Sequence, residues 1–108
     1  MCGLTGYLTP GGFEANAASC IIRDMSHNLN HRGPDDNGIW IDSNYGVAFG
    51  HQRLAVVDLS TAGRQPMSSV TEGFIIVFNG EIYNHRELRN RMPGYAWHGH
   101  SDTETILA

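Results

Sequence analysis

The sequence predicts an α+β domain with mostly antiparallel sheets, and three observations carry that prediction. An amphipathic helical stripe follows a first short strand, two strand-like stretches are joined across a four-residue turn, and five consecutive apolar residues from Phe74 to Phe78 read as a further strand. The 108 residues suit one small domain or part of one. With 17% charged residues, 41% apolar residues and a net charge of −4, the chain has neither the composition of a disordered segment nor the basic surface of a nucleic-acid binder. No apolar run is long enough to span a bilayer, and the N-terminus lacks the basic and apolar regions of a signal peptide. A cytoplasmic setting with no membrane partner is expected, and there Cys2 and Cys20 stay reduced.

The first strand covers residues 2 to 9 and ends at Pro10-Gly11-Gly12, a strong turn signal. It opens with Met1-Cys2-Gly3. If Met1 is removed, Cys2 carries a thiol and a free α-amine on one residue. A thiolate is the attacking species, and an α-amine with a reference pKa of ~7.7 to 8.0 is roughly one-third unprotonated near pH 7.5, so it can take the thiol proton without a histidine. The ordinary reading of the same cysteine is a small residue in a first strand.

Ala18, Ile22, Met25 and Leu29 fall on one helical face, which predicts a helix from about Glu14 to Asn28. Cys20 lies off that stripe and is read as packing or surface. Pro34 and the polar residues around it then favour turns. His31, Arg32, Asp35 and Asp36 make this loop chemically dense; spacing alone favours a solvated cluster over an active-site wall.

Strands are expected at 38 to 42 and 47 to 57, joined across Ser43-Asn44-Tyr45-Gly46. Arg53 shares the side-chain parity of Val47, Phe49 and Val57. A guanidinium there is either buried with a partner, expected to be a carboxylate, or reaches solvent at the sheet end. Residues 58 to 73 read as loop. The run Phe74 to Phe78 reads as a central strand covered on both faces.

That strand leads into Asn79-Gly80-Glu81. Asn-Gly ordinarily marks a tight hairpin, but Asn84 with Glu87 looks like a capping box opening a helix over 85 to 91, not a second strand. Asn79 and Gly80 would then sit at a strand exit, where a carboxamide and a backbone N–H can face one developing negative charge. Ser101 with Glu104 reads as a second capping box, which by itself accounts for Asp102 in a first helical turn. That last helix has scarcely two turns and leaves Ile106 and Leu107 at the end, so a truncated chain is expected.

Six segments, in order, carry a resemblance: Met-Cys-Gly at 1 to 3, His-Arg-Gly-Pro-Asp at 31 to 35, Gly-His-Gln-Arg-Leu at 50 to 54, Gln65-Pro66, Phe-Asn-Gly-Glu-Ile-Tyr-Asn at 78 to 84, and Ser-Asp-Thr-Glu at 101 to 104. The chain resembles the N-terminal glutaminase domain of class II glutamine amidotransferases, which are N-terminal nucleophile hydrolases, and among them most the glutamine-hydrolysing asparagine synthetases. Pro34, Leu54, Phe78 and Glu81 favour that branch over relatives that aminate sugar phosphates or phosphoribosyl substrates.

The resemblance implies that residues 1 to 108 are the N-terminal portion of a four-layer αββα sandwich. It implies that Cys2 attacks the side-chain amide of glutamine, Asn79 and Gly80 hold the oxyanion, Arg53 takes the substrate α-carboxylate, and Glu81 and Asp102 bind its α-ammonium. It also implies a C-terminal synthetase domain, outside this segment, that uses ATP and magnesium to convert aspartate to asparagine. No cofactor or metal is expected within the segment itself. The resemblance leaves room for assembly as a homodimer. The ammonia acceptor stays open, since a related amidotransferase would feed a different one. A metal-binding module built on Cys2, Cys20 and the six histidines is the competing class, without a C-x-x-C pair to support it.

Overall fold

The computed structural model describes residues 1–108. Its organising unit is an antiparallel three-stranded sheet in the order β1 (Gly3–Leu8), β3 (Val47–Arg53), β2 (Asp36–Asp42). Gly3 faces Gln52 and Leu8 faces Val47 across one ladder; Asp36 faces Arg53 and Asp42 faces Val47 across the other. The β2–β3 turn closes because the Asp42 carboxylate accepts the N–H groups of Asn44 and Tyr45, both at 3.1 Å, and Gly46 supplies a φ of 69°.

Helix α1 (Ala15–His27) covers one face of this sheet. Its N-cap is Glu14, whose carboxylate accepts from Asn16 N–H at 3.0 Å and Ala17 N–H at 2.7 Å. The expected stripe is buried at Ala18 and Ile22, which with Ala48 form the apolar core. Burying Ile22 alone contributes about 1.5 to 3 kcal/mol. Ser26 is also buried, where its hydroxyl accepts from the Gln52 carboxamide at 3.3 Å. Because side chains alternate along a strand, Ala48, Gly50 and Gln52 face α1 while Phe49, His51 and Arg53 face away from it. That second face meets the rest of the chain.

The rest comprises a two-stranded antiparallel sheet of β4 (Met67–Ser68) and β5 (Ile75–Ile76), and two short helices, α2 (His85–Asn90) and α3 (Asp102–Leu107), packed on each other. The expected α+β class with antiparallel sheets is what the chain adopts. No helix is long and apolar enough to cross a membrane.

Several local expectations are corrected. The second long strand stops at Arg53 instead of reaching residue 57, because the next two N–H groups leave the ladder: Leu54 N–H turns to Cys2 Sγ and Ala55 N–H to the Asp35 carboxylate at 2.8 Å. The run Phe74 to Phe78 is not a central strand covered on both faces. Only Ile75 and Ile76 pair, with a two-residue partner, and Phe74 is exposed. At Phe78 the N–H donates to the Gln65 side chain instead of a strand. Residues 58 to 73 are more than loop, holding a 3-10 turn at Thr61–Gly63 as well as β4.

The first capping box does not form. Asn84 makes no capping hydrogen bond, and Glu87 pairs instead with Arg91 at 3.1 Å. The second forms in one direction: Ser101 Oγ accepts Glu104 N–H at 3.2 Å, but Glu104 reaches outward to other partners. The dense loop is only partly solvated, since Asp35 holds Ala55 N–H and Asp36 joins β2 and pairs with Arg64 at 2.5 Å.

Candidate active site

Cys2 lies immediately before β1 and packs against the end of β3. Leu54 N–H donates to its sulfur at 3.3 Å, and the thiol lies 3.5 Å from Leu54 O. This pins the sulfur at the wall of a cavity of about 360 Å³. Met1 is exposed at the cavity mouth. Cys20 is exposed on α1, on the helix surface as expected.

The cavity is lined by Cys2, Arg53, Asn79, Gly80, Glu81 and Asp102, six residues drawn from four separated segments of the chain. Neither the Asn79 carboxamide nor the Gly80 N–H is hydrogen-bonded within the chain, so both remain available to a ligand. The Phe78 ring lies where a Cβ on Gly80 would sit, at 2.7 Å, so a side chain at this position would displace the ring. Asp102 is buried in the first turn of α3, and its carboxylate accepts Ile82 N–H at 2.8 Å. This bond ties the segment after Gly80 to α3. Glu81 is exposed at the cavity edge.

Arg53 is buried, as its parity suggested, but its partner is not the expected carboxylate. The guanidinium donates to two backbone carbonyls, Ser60 O at 2.8 Å and Asp58 O. A guanidinium has five N–H donors, so donors remain for a ligand after these two bonds. The turn that supplies the carbonyls is fixed by Asp58, whose carboxylate accepts Ser60 N–H at 2.8 Å, Ser60 Oγ–H at 2.6 Å and His100 N–H at 2.7 Å. Burial pushes the Asp58 carboxyl up, but those hydrogen bonds and the nearby Arg53 charge outweigh it and hold it below the usual carboxylate range.

Sequence reasoning missed four contributors: Leu54 through its N–H, Asp58, Gly63 and Thr103. Asp58 and Gly63 read only as loop punctuation, because a residue that orients another's backbone leaves no periodic signal. Leu54, Gln65 and Thr103 belonged to recognised segments without an assigned role. No group of three or more His, Cys, Asp or Glu side chains is assembled for a metal ion, and Cys2, Cys20 and the histidines are not brought together.

Comparison with known proteins shows the family. The model of the glutamine amidotransferase domain family matches residues 1–108. Asparagine synthetase [glutamine-hydrolyzing] 1 of Bacillus subtilis is 40% identical over 111 residues, covering 100% of this chain and 17% of that protein. The asparagine synthetase [glutamine-hydrolyzing] of Sandersonia aurantiaca is 38% identical over 106 residues, covering 98% of this chain and 19% of its own length. The amidase chry2 of Gibberella zeae is 32% identical over 117 residues, covering 100% of this chain and 17% of its own. The chain therefore spans about a fifth or less of these relatives. A family match over all 108 residues, together with relatives 38 to 40% identical over nearly the whole chain, shows that this chain belongs to the glutamine amidotransferase domain family.

Proposed function

We propose that the chain hydrolyses the side-chain amide of glutamine through Cys2, giving glutamate and ammonia. The observation that carries this reading is that the sulfur, the unspent Asn79 and Gly80 donors, Arg53, Glu81 and Asp102 share one cavity. Once Met1 is removed, the Cys2 α-amine takes the thiol proton and the sulfur attacks the amide carbon. The carbonyl oxygen becomes an oxyanion that Asn79 and Gly80 N–H stabilise. The amine returns the proton to the leaving nitrogen, the C–N bond breaks and ammonia departs. Water then cleaves the γ-glutamyl thioester, releasing glutamate and restoring the thiol. Arg53 holds the substrate α-carboxylate through its free donors, and Asp102 with Glu81 holds the α-ammonium.

In the longer protein the ammonia would pass to a synthetase domain that uses ATP and magnesium to convert aspartate to asparagine. The names and the greater length of the relatives support that assignment. Residues 1 to 108 would then be the N-terminal portion of a larger glutaminase domain. The exposed Phe74 and the single, short partner of β5 leave apolar surface for further chain to cover. A different acceptor is the second reading, favoured by the amidase among the relatives.

The test is glutamate release from glutamine by the full-length protein and its Cys2→Ala variant. Release that disappears with the thiol supports the mechanism; release that survives Cys2→Ala removes Cys2 as nucleophile.

A further inference from the structure

The Asn79-Gly80 donors and the Asp102 carboxylate come from different elements, so something must set the distance between them. The residue before Asn79 is Phe78, and the residue after Asp102 is Thr103. One side chain joins these two neighbours. The Gln65 carboxamide accepts Phe78 N–H through Oε1 at 2.6 Å and donates through Nε2 to Thr103 Oγ1 at 3.1 Å. Gln65 is 9% exposed and Thr103 3%, so the bond between them is buried, and the bond to Phe78 is partly so. The orientation of the amide is fixed by chemistry, because Phe78 N–H can only donate and must face the oxygen.

We infer that Gln65 is a positioning residue for the glutaminase reaction, a single amide that spaces the oxyanion donors from the ammonium-binding carboxylate. This rests on the functional reading above and adds to it a part for a residue that itself performs no chemistry. Both ends of its amide are engaged by the protein, so it acts through Phe78 and Thr103. The role calls for an acceptor and a donor at the tip of one side chain of this length. A carboxylate lacks the donor, and an apolar side chain lacks both. Its effect is geometric, because an oxyanion donor works only when aimed at the place where charge develops.

The two arms give separable predictions in the full-length protein. Gln65→Met keeps length and removes both bonds, so kcat for glutamate release should fall about tenfold or more and KM should rise. Thr103→Val leaves the Phe78 bond in place, so KM should rise severalfold while kcat stays within about twofold of wild type. In an Asn79→Ala background, Gln65→Met should lower kcat by a smaller factor than in the wild type, since one of the two donors it aims is already gone.

A lower melting temperature with unchanged kcat and KM in both variants would overturn the inference, as would a Gln65→Met effect that multiplies fully with Asn79→Ala. Should Gln65→Met fail to fold, the KM of Thr103→Val decides alone. Wild-type release that Cys2→Ala abolishes keeps the functional reading intact while the positioning role is judged; no release by wild type overturns both.

Discussion

At the scale of the residue, the residues that line the cavity were legible by position and pattern, whereas the partners that hold them were not. Cys2 announced itself by position, and Asn79-Gly80 by following an apolar run into a helix start. Arg53 was legible only by half. Alternation along β3 indicated burial, but its partners are carbonyls of the turn at Asp58 and Ser60, which no side-chain pattern reports. The two donors give the sharpest expectation here. Asn79→Ala should reduce glutamine hydrolysis by about a hundredfold or more, the usual loss for an oxyanion donor. Steady-state glutamate release measures it, and an unchanged kcat would take Asn79 out of the role. On the proposed reading, in which Arg53 holds the α-carboxylate in ground and transition states alike, Arg53→Ala should instead act on KM. If it lowers only the melting temperature, the guanidinium is a clamp for the 58 to 60 turn and nothing more.

At the scale of the element, α1 was readable because thirteen residues sustain one apolar period, whereas β4 and β5 have two residues each and no period at all. The short helices α2 and α3 are held by polar contacts that sequence spacing cannot foresee. Arg89 on α2 donates to Thr105 Oγ1 at 2.9 Å, Gly99 O at 2.7 Å and Ser101 O at 2.6 Å, and lies 4.0 Å from the centre of the Trp97 ring. Glu104 on α3, 4% exposed, accepts His98 N–H at 2.7 Å and Gly99 N–H at 2.9 Å and pairs with Arg89 at 3.4 Å. Glu104→Ala should therefore cost about 2 to 4 kcal/mol, since it leaves the His98 and Gly99 N–H groups without their acceptor and removes the carboxylate beside Arg89. Denaturant unfolding would register this as a lower midpoint with an unchanged slope. The turn at Thr61–Gly63 carries a different kind of constraint. A Cβ on Gly63 would collide with the Arg53 guanidinium and lie 3.3 Å from Asp58 Cβ. Gly63→Ala should push the guanidinium off its carbonyls and raise KM for glutamine as Arg53→Ala does. A normal KM would mean that Arg53 can shift without loss.

At the scale of the whole molecule, the face of β3 turned away from α1 was left ambiguous by the sequence, because its residues are apolar and polar by turns. His51 lies on that face, fully buried, with neither ring nitrogen hydrogen-bonded. Burial disfavours the imidazolium, and the Arg53 charge adds to this; proximity to the Phe78 backbone and the Asp36 carboxylate opposes them without prevailing, so the His51 pKa lies below its ordinary value. The consequence for stability has a definite sign. The unfolded chain takes up a proton near pH 6.5 while the folded chain resists it, so protonation favours unfolding. The stabilisation is fully present above about pH 6.5 and declines as pH falls from there toward the lower folded pKa. Asp58 contributes in a separate window, because its depressed pKa costs stability only as pH falls through the acidic carboxylate range. Melting temperature should therefore hold level from about pH 8 to 7, fall from about 6.5 downward, and fall again in strong acid. A His51→Phe variant should lose the first decline and keep the second. If its profile follows wild type between about pH 6.5 and 5, another group titrates there and the buried imidazole is not the proton-sensitive group.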